Sequence, residues 1–372
     1  MKYLFINIVA GNGSTGRIAA EQCRALQAQG HECVLAYGRW AGNCDDITTY
    51  RIGTAWDYKV HGVLTRLFDW HGFGSAAATR KFIRWIREYD PDVIWLHNLH
   101  GYYLNVELLF AYLKTCGKTI YWTLHDCWAF TGHCAYFTYA KCSEWKARCG
   151  DSCAQLGTYP ATFSKGSCSW NYDQKKRLFN LVPADRMELI TPSKWLADLV
   201  RQSFLAKYPV EVRYNTIDAS VFKPTPSDFR ERYGIGSRFM VLGVASPWTE
   251  RKGLADFVKL ANGLNSEEYA IVLVGLSEKQ LKELPANIIG LARTDSLQEL
   301  ASIYTAADVF FNPTREDNYP TTLLEAQACG TSALTYLVGG CAEALSAKGS
   351  CAVVGFDAAL RFIDEMRMEG GR

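Results

Sequence analysis

Apolar positions along the chain fall into two alternating patterns. Short, nearly continuous apolar runs (KYLFINIV, ECVLAYG, DVIWLHN, KTIYWTL, MELITPS) read as buried strands. Stretches with helical spacing separate them: one near residues 15–30, then VELLFAYLKTCG and KWLADLVRQSFL. Gly30 and Gly117 stand where helical runs stop. EVRYN leads into TIDASVFKPTPSD, a turn-rich stretch with two prolines that reads as a connection between domains. A second series then begins at FMVLGVAS and runs through GLADFVKLANGL, AIVLVG, NIIGLA, SLQELASIYTAA, DVFFNPT, TTLLEAQACG, SALTYLVGG and AALRFIDEMRM. Strands buried on both faces and alternating with amphipathic helices predict parallel sheets covered on both sides. The expected fold class is therefore α/β, with two Rossmann-like doubly wound domains over residues 1–214 and 215–372 about a cleft.

Composition adds little beyond size. The chain has 372 residues, 48% of them hydrophobic, which suffices for two cores. A net charge of +2 gives no support to a nucleic-acid partner. The start, MKYLFINIVAGNG, turns glycine-rich too soon for a signal peptide. No apolar run reaches the roughly 18 residues of a membrane-spanning helix. A cytoplasmic protein with reduced thiols is the expectation.

Ligands of doubly wound sheets collect beyond the carboxyl ends of strands, so chemistry is sought in those loops. GNGSTG (11–16) follows the first strand and opens a helix. Its glycines let the backbone approach an anion, with Gly13 and Ser14 at the helix start. A dinucleotide fingerprint would need an acid at the end of the second strand, where LAYGRW has Arg39 instead. A loop facing a phosphate or acceptor and a plain tight turn both remain open.

REDNYPTTLLEAQACG (315–330) says more. Glu316 and Asp317 follow a strand, Asn318, Tyr319 and Pro320 make a turn, and the next helix starts at Thr321 and carries Glu325. The N–H groups of such a helix start suit a diphosphate; the bland reading is a capped surface helix. Arg251 and Lys252 open another helix and are otherwise a solvated terminus. His125, at the end of KTIYWTL, and HNLHGYYLN (97–105) lie at neighbouring strand ends. His97, Asn98, His100, Tyr102 and Asn105 suit hydrogen bonding and stacking on a saccharide; a buried polar loop is the alternative.

From Asp126 to about residue 172 the pattern breaks. Cys134, Cys142, Cys149 and Cys153 form C-x7-C-x6-C-x3-C, a moderate zinc signal that competes with plain thiols, disulfides and an iron–sulfur cluster. ATRKFIRWIREY (78–89), with VLTRLFDWHGF, reads either as a helix packed on a sheet or as a peripheral contact with an anionic membrane face.

Taken together, DNYPTTLLEAQACGT, SPWTERKGLADF, TPSKWLADLV, YNTIDASVFKP and TYLVGGCAEAL make the chain resemble the retaining, nucleotide-sugar-dependent GT-B glycosyltransferases with an E-x7-E motif, the family 4-like group. HNLHGYYLN, GNGSTGR and the His-Asp-Cys segment point to its colanic-acid and capsule branch. The resemblance implies a nucleoside diphosphate sugar donor and a saccharide or lipid-linked saccharide acceptor, with no cofactor needed for catalysis. It implies that Glu325 holds the ribose, that Asp317 or Glu316 meets the donor sugar, and that Lys252 neutralises the diphosphate. Arg251 stands in for an earlier cation that Ser246-Pro247 lacks, and His125 lies near the donor sugar. The base is expected to meet GLARTDS (290–296), including Arg293. An epimerase on the same fold and a non-catalytic nucleotide-sugar binding subunit are the rival readings.

Overall fold

Two all-parallel sheets organise the chain in a computed structural model that describes residues 1–165 and 167–370. The chain divides into two compact units, Met1–Tyr214 and Asn215–Arg372. The first unit holds β1 (Lys2–Asn7), β2 (Glu32–Tyr37), β3 (Thr48–Arg51), β4 (Val93–Leu96), β5 (Thr119–Thr123), β6 (Met187–Thr191) and β7 (Val210–Val212). Its helices are α1 (Gly13–Gln27), α2 (Ala55–Phe68), α3 (Ala76–Tyr89), α4 (Val106–Thr115), α5 (Cys168–Phe179) and α6 (Lys194–Arg201). The second unit holds β8 (Phe239–Val244), β9 (Tyr269–Val274), β10 (Ile288–Leu291), β11 (Val309–Asn312), β12 (Ser332–Tyr336) and β13 (Cys351–Val353). Around them lie α7 (Phe229–Arg232), α8 (Leu254–Gly263), α9 (Glu278–Glu283), α10 (Leu297–Ala306), α11 (Thr321–Ala328) and α12 (Phe356–Met368).

Strand order is β3-β2-β1-β4-β5-β6-β7 in the first sheet and β10-β9-β8-β11-β12-β13 in the second. Each order grows outward in both directions from a central pair, β1 with β4 and β8 with β11. The order of strand addition reverses at these parallel pairs, so the loops leaving their carboxyl ends part and leave a crevice, the usual ligand position in such sheets. The alternation of side chains across β1 shows why both faces are covered. Leu4 and Ile6 join Phe82 and Ile86 of α3 and Leu109 and Phe110 of α4. Phe5 joins Ala19, Ala20 and Cys23 of α1 on the other side. In β8, Met240 and Leu242 pack with Tyr304 and Leu323, whereas Val241 packs with Phe257 and Ile363.

The departures from the sequence pattern have physical reasons. Edge strand β3 buries little and so shows no apolar run. Helix α2 reverses the usual polarity: His61 and Thr65 are its buried residues, while Trp56, Val60, Val63, Leu67 and Phe68 are exposed. A capping box of Thr54 and Asp57 starts it. Helix α3, expected either to pack on the sheet or to meet a membrane, buries its apolar side through Phe82, Ile83 and Ile86, as the packed reading has it. Trp85 of that helix stacks on Tyr50 at 4.3 Å, so its aromatic row is used in packing.

Candidate functional site

In the second unit, the loops after β8 and β11 meet at a charged knot. Lys252 Nζ donates to Asp317 Oδ2 at 2.5 Å, and Arg251 Nη1 lies 3.7 Å from the same oxygen. Backbone bonds lock the two loops: Arg315 N–H donates to the Arg251 carbonyl at 2.7 Å, and Arg251 also donates to the Glu316 carbonyl. Two glycines permit this approach. A Cβ at Gly253 (φ 78°) would stand 2.3 Å from the Pro313 carbonyl oxygen, and one at Gly339 (φ 54°) would stand 1.9 Å from that of Asp317. Only glycine takes both this backbone and this contact. Burial alone would raise the Asp317 carboxyl, but Lys252 and Arg251 hold it below the ordinary range.

The other expected donor residues surround this knot unevenly. Asn318 donates its backbone N–H to Asp317 Oδ1 at 2.9 Å, and Glu316 is buried. Thr321 opens α11, which has no side-chain cap from Pro320. The half-buried Tyr319 accepts from Asn215 Nδ2 through its carbonyl at 3.3 Å. Glu325, 1% exposed, accepts at Oε2 from the Tyr304 hydroxyl at 3.1 Å, a partner the motif does not reveal. Arg293 is exposed in the loop after β10, the edge strand, which β9 separates from the central pair.

In the first unit the expected histidines converge because β4 and β5 are neighbours. His97 Nδ1 and His125 Nε2 share a 3.0 Å hydrogen bond with rings stacked at 5.3 Å. His100 Nε2 meets Asp126 Oδ2 at 3.0 Å, and its Nδ1 meets the Tyr159 hydroxyl at 3.0 Å. Tyr159 comes from the irregular segment and had no signal in the sequence. The Asn98 carbonyl accepts from the Tyr103 hydroxyl at 2.8 Å, and Tyr102 holds a positive φ of 72° beside Tyr159. Asn105 belongs to the scaffold: Oδ1 caps α4 through Leu108 N–H at 3.0 Å and Nδ2 donates to the Phe73 carbonyl at 2.7 Å. Gly13 and Ser14 lie exposed at the first turn of α1. A cavity of about 320 Å³ at the ends of β2 and β3 is lined by Arg39, Trp40, Arg51 and Tyr58. Arg39 lies over Trp40 at 4.0 Å and Tyr58 at 4.4 Å, a stacked cation just beyond β2.

Among the described residues, the cysteine segment folds against this unit with two short 3-10 turns, Trp128–Phe130 and Glu144–Lys146. All 13 cysteines are thiols without disulfides. Cys134, Cys142, Cys149 and Cys153 line one cavity, joined there by Cys168 and His133. The compact metal-type donor set among the described residues is a different one: Asp69, His71 and His133, with ligand atoms within 4.8 Å of one another.

Residues 15–221 match the model of Glycosyltransferase Family 4, over half the chain. The chain belongs to glycosyltransferase family 4. Residues 238–367 match the model described as Glycosyl transferases group 1. The family 4 chain is 24% identical to the putative colanic acid biosynthesis glycosyl transferase WcaC of Escherichia coli K12, over 94% of this chain and 86% of that one. It is similar in fold to sucrose-phosphate synthase from Thermosynechococcus elongatus (TM-score 0.70, 15% identity, 99% and 90% covered). It is also similar to Anabaena HepE, solved in complex with UDP and glucose (TM-score 0.65, 15% identity, 99% and 90% covered). The fold class is GT-B and the activity that of a glycosyltransferase.

Buried histidines give this family 4 chain a distinct acid response. Desolvation pushes His61 and His125 down to about 4, and His71 and His97 well below their ordinary value. Folded, they stay neutral where the unfolded chain binds protons, so their contribution is complete above pH 6.5 and lost as pH falls towards about 4. Urea midpoints should therefore drop clearly between pH 7 and pH 5, in a window above the carboxylate range; a flat profile there contradicts the assignment.

Proposed function

We propose that the chain transfers a sugar from a nucleoside diphosphate donor to a saccharide or lipid-linked saccharide acceptor of a bacterial surface polysaccharide, with retention of configuration. The observation that carries this reading is the convergence of Lys252 and Arg251 on Asp317 at the central strand pair of the second sheet. A leaving diphosphate gains charge as the glycosidic bond breaks, and fixed cations at that point favour the transition state over the ground state. Lys252 is held by a carboxylate and a backbone lock, so it needs little reorganisation to act. The start of α11 adds N–H dipoles of the same sign. Asp317, with Glu316 beside it, serves the donor sugar, Asn318, Tyr319 and Thr321 line the donor, and Glu325 serves the ribose. Arg293 serves the base. UDP in the HepE complex supports a nucleotide donor.

His125 serves the donor sugar as a neutral hydrogen-bonding group, since burial keeps its ring uncharged. His97, Asn98, His100 and Tyr102 belong to the acceptor side, with Asn105 holding their loop. No helix among the described residues is long and apolar enough to cross a membrane. A lipid-linked acceptor would then be met at a bilayer surface, and the exposed stripe of α2 suits that contact. Trp56, Val60, Val63 and Leu67 recur at helical spacing, flanked by the exposed cations Lys59 and Arg66. Trp40 and Trp70 are exposed in the same unit. The resulting location is the cytoplasmic face of the inner membrane.

Lys252→Ala should lower turnover by about a hundred- to a thousand-fold, the usual effect of losing one such contact, and more than it weakens donor binding. Near-normal steady-state turnover with the correct donor would remove Lys252 from this role. Glu325→Ala should weaken donor affinity by about 1.5–3 kcal/mol in calorimetry. For the membrane contact, Val60→Ser with Leu67→Ser should abolish flotation with anionic vesicles while leaving transfer to a soluble acceptor intact; unchanged flotation would reject α2 as the contact.

A further inference from the structure

The cavity at the carboxyl ends of β2 and β3 is used by neither the charged knot nor the histidine loops. These strands are parallel, with Tyr37 opposite Arg51, so Arg39 and Arg51 leave neighbouring strands at the end of the sheet where ligands collect. The turn that carries Arg39 is fixed from behind. Gly38 and Arg39 N–H donate to the Ile8 carbonyl at 3.2 and 2.9 Å, and Ala10 N–H donates to the Trp40 carbonyl at 2.9 Å. A Cβ at Gly38 would stand 2.2 Å from the Tyr103 side chain, so this turn packs directly on the loop that runs from His97 to Asn105. Tyr58 of α2 also lines the cavity, and its ring lies 5.9 Å from that of Tyr102 in the same loop.

The contacts of Arg39 leave its donors unused. Its guanidinium carbon lies 4.0 Å from the Trp40 ring centroid and 4.4 Å from that of Tyr58. Rings take a cation on their faces, while the N–H groups of a guanidinium point outward in its own plane. Nε of Arg39 is buried and has no hydrogen-bond partner. A buried donor without an acceptor is costly. Among the described residues neither Arg39 nor Arg51 stands in an ion pair, whereas Arg24 and Arg213 of the same unit pair with Asp46 and Glu211. The lining holds these two arginines with aromatic and small residues and no carboxylate. Two cations that line one space repel each other unless an anion joins them.

We propose that this cavity is a subsite for an oxyanion carried by the acceptor saccharide, a sugar carboxylate or a sugar phosphate, with Arg39 and Arg51 as its cations and Trp40 and Tyr58 beside the sugar ring. That the oxyanion belongs to an acceptor rests on the transfer reading above; the binding itself requires no reaction. The planar fork of arginine meets either oxyanion through two parallel N–H bonds. A neutral sugar leaves Arg39 Nε unpaired, so the site selects by what it leaves unsatisfied as well as by what it binds. Its volume of about 320 Å³ falls in the range of small-molecule sites, roughly 300–1,000 Å³. Trp40, 56% exposed, keeps much of its ring open to a ligand. A row of tyrosines joins the cavity to the acceptor side: Tyr58, Tyr102 and Tyr159 follow one another at 5.9 and 6.2 Å, and the Tyr159 hydroxyl meets His100 at 3.0 Å. An acceptor of more than one sugar lies along this row with its charged unit in the cavity.

Trp40 supplies the readout. Its indole N–H resonance, assigned by its loss in Trp40→Phe, is followed in the full-length protein during titration with glucuronate, glucose 1-phosphate, glucose and inorganic phosphate. At least one of the two sugar anions should shift it saturably and bind about tenfold or more tighter than glucose and inorganic phosphate, the least that a charged hydrogen bond supplies. The tighter of the two names the oxyanion. Arg39→Gln and Arg51→Gln should each remove that advantage, and rising salt should erode it. No saturable shift with either sugar anion overturns the site. Inorganic phosphate bound as tightly as the sugar anions overturns its reading as a saccharide site, and full binding by both arginine variants overturns the residues. The unmutated chain decides the first two points even where a variant fails to fold. Calorimetric titration with UDP, GDP and ADP tests the transfer reading apart. A nucleotide bound without a sugar-anion shift sinks the subsite alone, and sugar-anion binding by a chain that takes up no nucleotide sinks only the transfer reading.

Discussion

The ion pair of Lys252 and Asp317 is the constraint on which the second unit's site depends. Two opposite charges at 2.5 Å, with the carboxylate largely out of solvent, tie the loop after β8 to the loop after β11. Such a pair contributes little net stability, because desolvation offsets most of the attraction. Removing one partner is what costs, since the other is left buried and uncompensated. The pair therefore specifies geometry rather than adding strength. Gly253 and Gly339 show how closely the geometry is set: each sits where any side chain would collide with backbone.

The two units solve their electrostatic tasks in opposite ways. The second gathers fixed positive charge with one carboxylate, as an anionic leaving group requires. The first gathers imidazoles that burial keeps neutral, with Asp126 held ionised against the pull of burial by His100 and the Trp128 N–H. Neutral rings donate and accept without repelling or trapping a charged donor. On the proposed reading, charge stands where a diphosphate departs and uncharged polarity where sugars bind.

Much of this was legible in the sequence because parallel strands leave strong signals. Each central strand is an unbroken apolar run, and the loops after β4, β5, β8 and β11 carried the polar clusters that the fold assembles. His97 and His125 were read separately, and the adjacency of β4 and β5 brings them into contact. What was not legible depends on partners distant in sequence. Tyr159 and Tyr304 reach His100 and Glu325 across folds that no local pattern encodes. Regular spacing picked out Cys134, Cys142, Cys149 and Cys153, and the cavity they line also takes in Cys168 and His133, which that spacing does not reach. Which way the apolar stripe of α2 faces is likewise not written in its spacing: Trp56, Val60, Val63 and Leu67 are exposed while His61 and Thr65 are buried.

The central claim is that the knot at Lys252, Arg251 and Asp317 recognises a diphosphate, not merely a nucleotide. Calorimetric titration of one matching base as nucleoside, monophosphate and diphosphate, repeated at low and high salt, tests it most directly. The account predicts that affinity rises steeply from monophosphate to diphosphate and that salt erodes only this increment, since screening acts on charge pairs. Equal affinity for the monophosphate and the diphosphate, indifferent to salt, would contradict it.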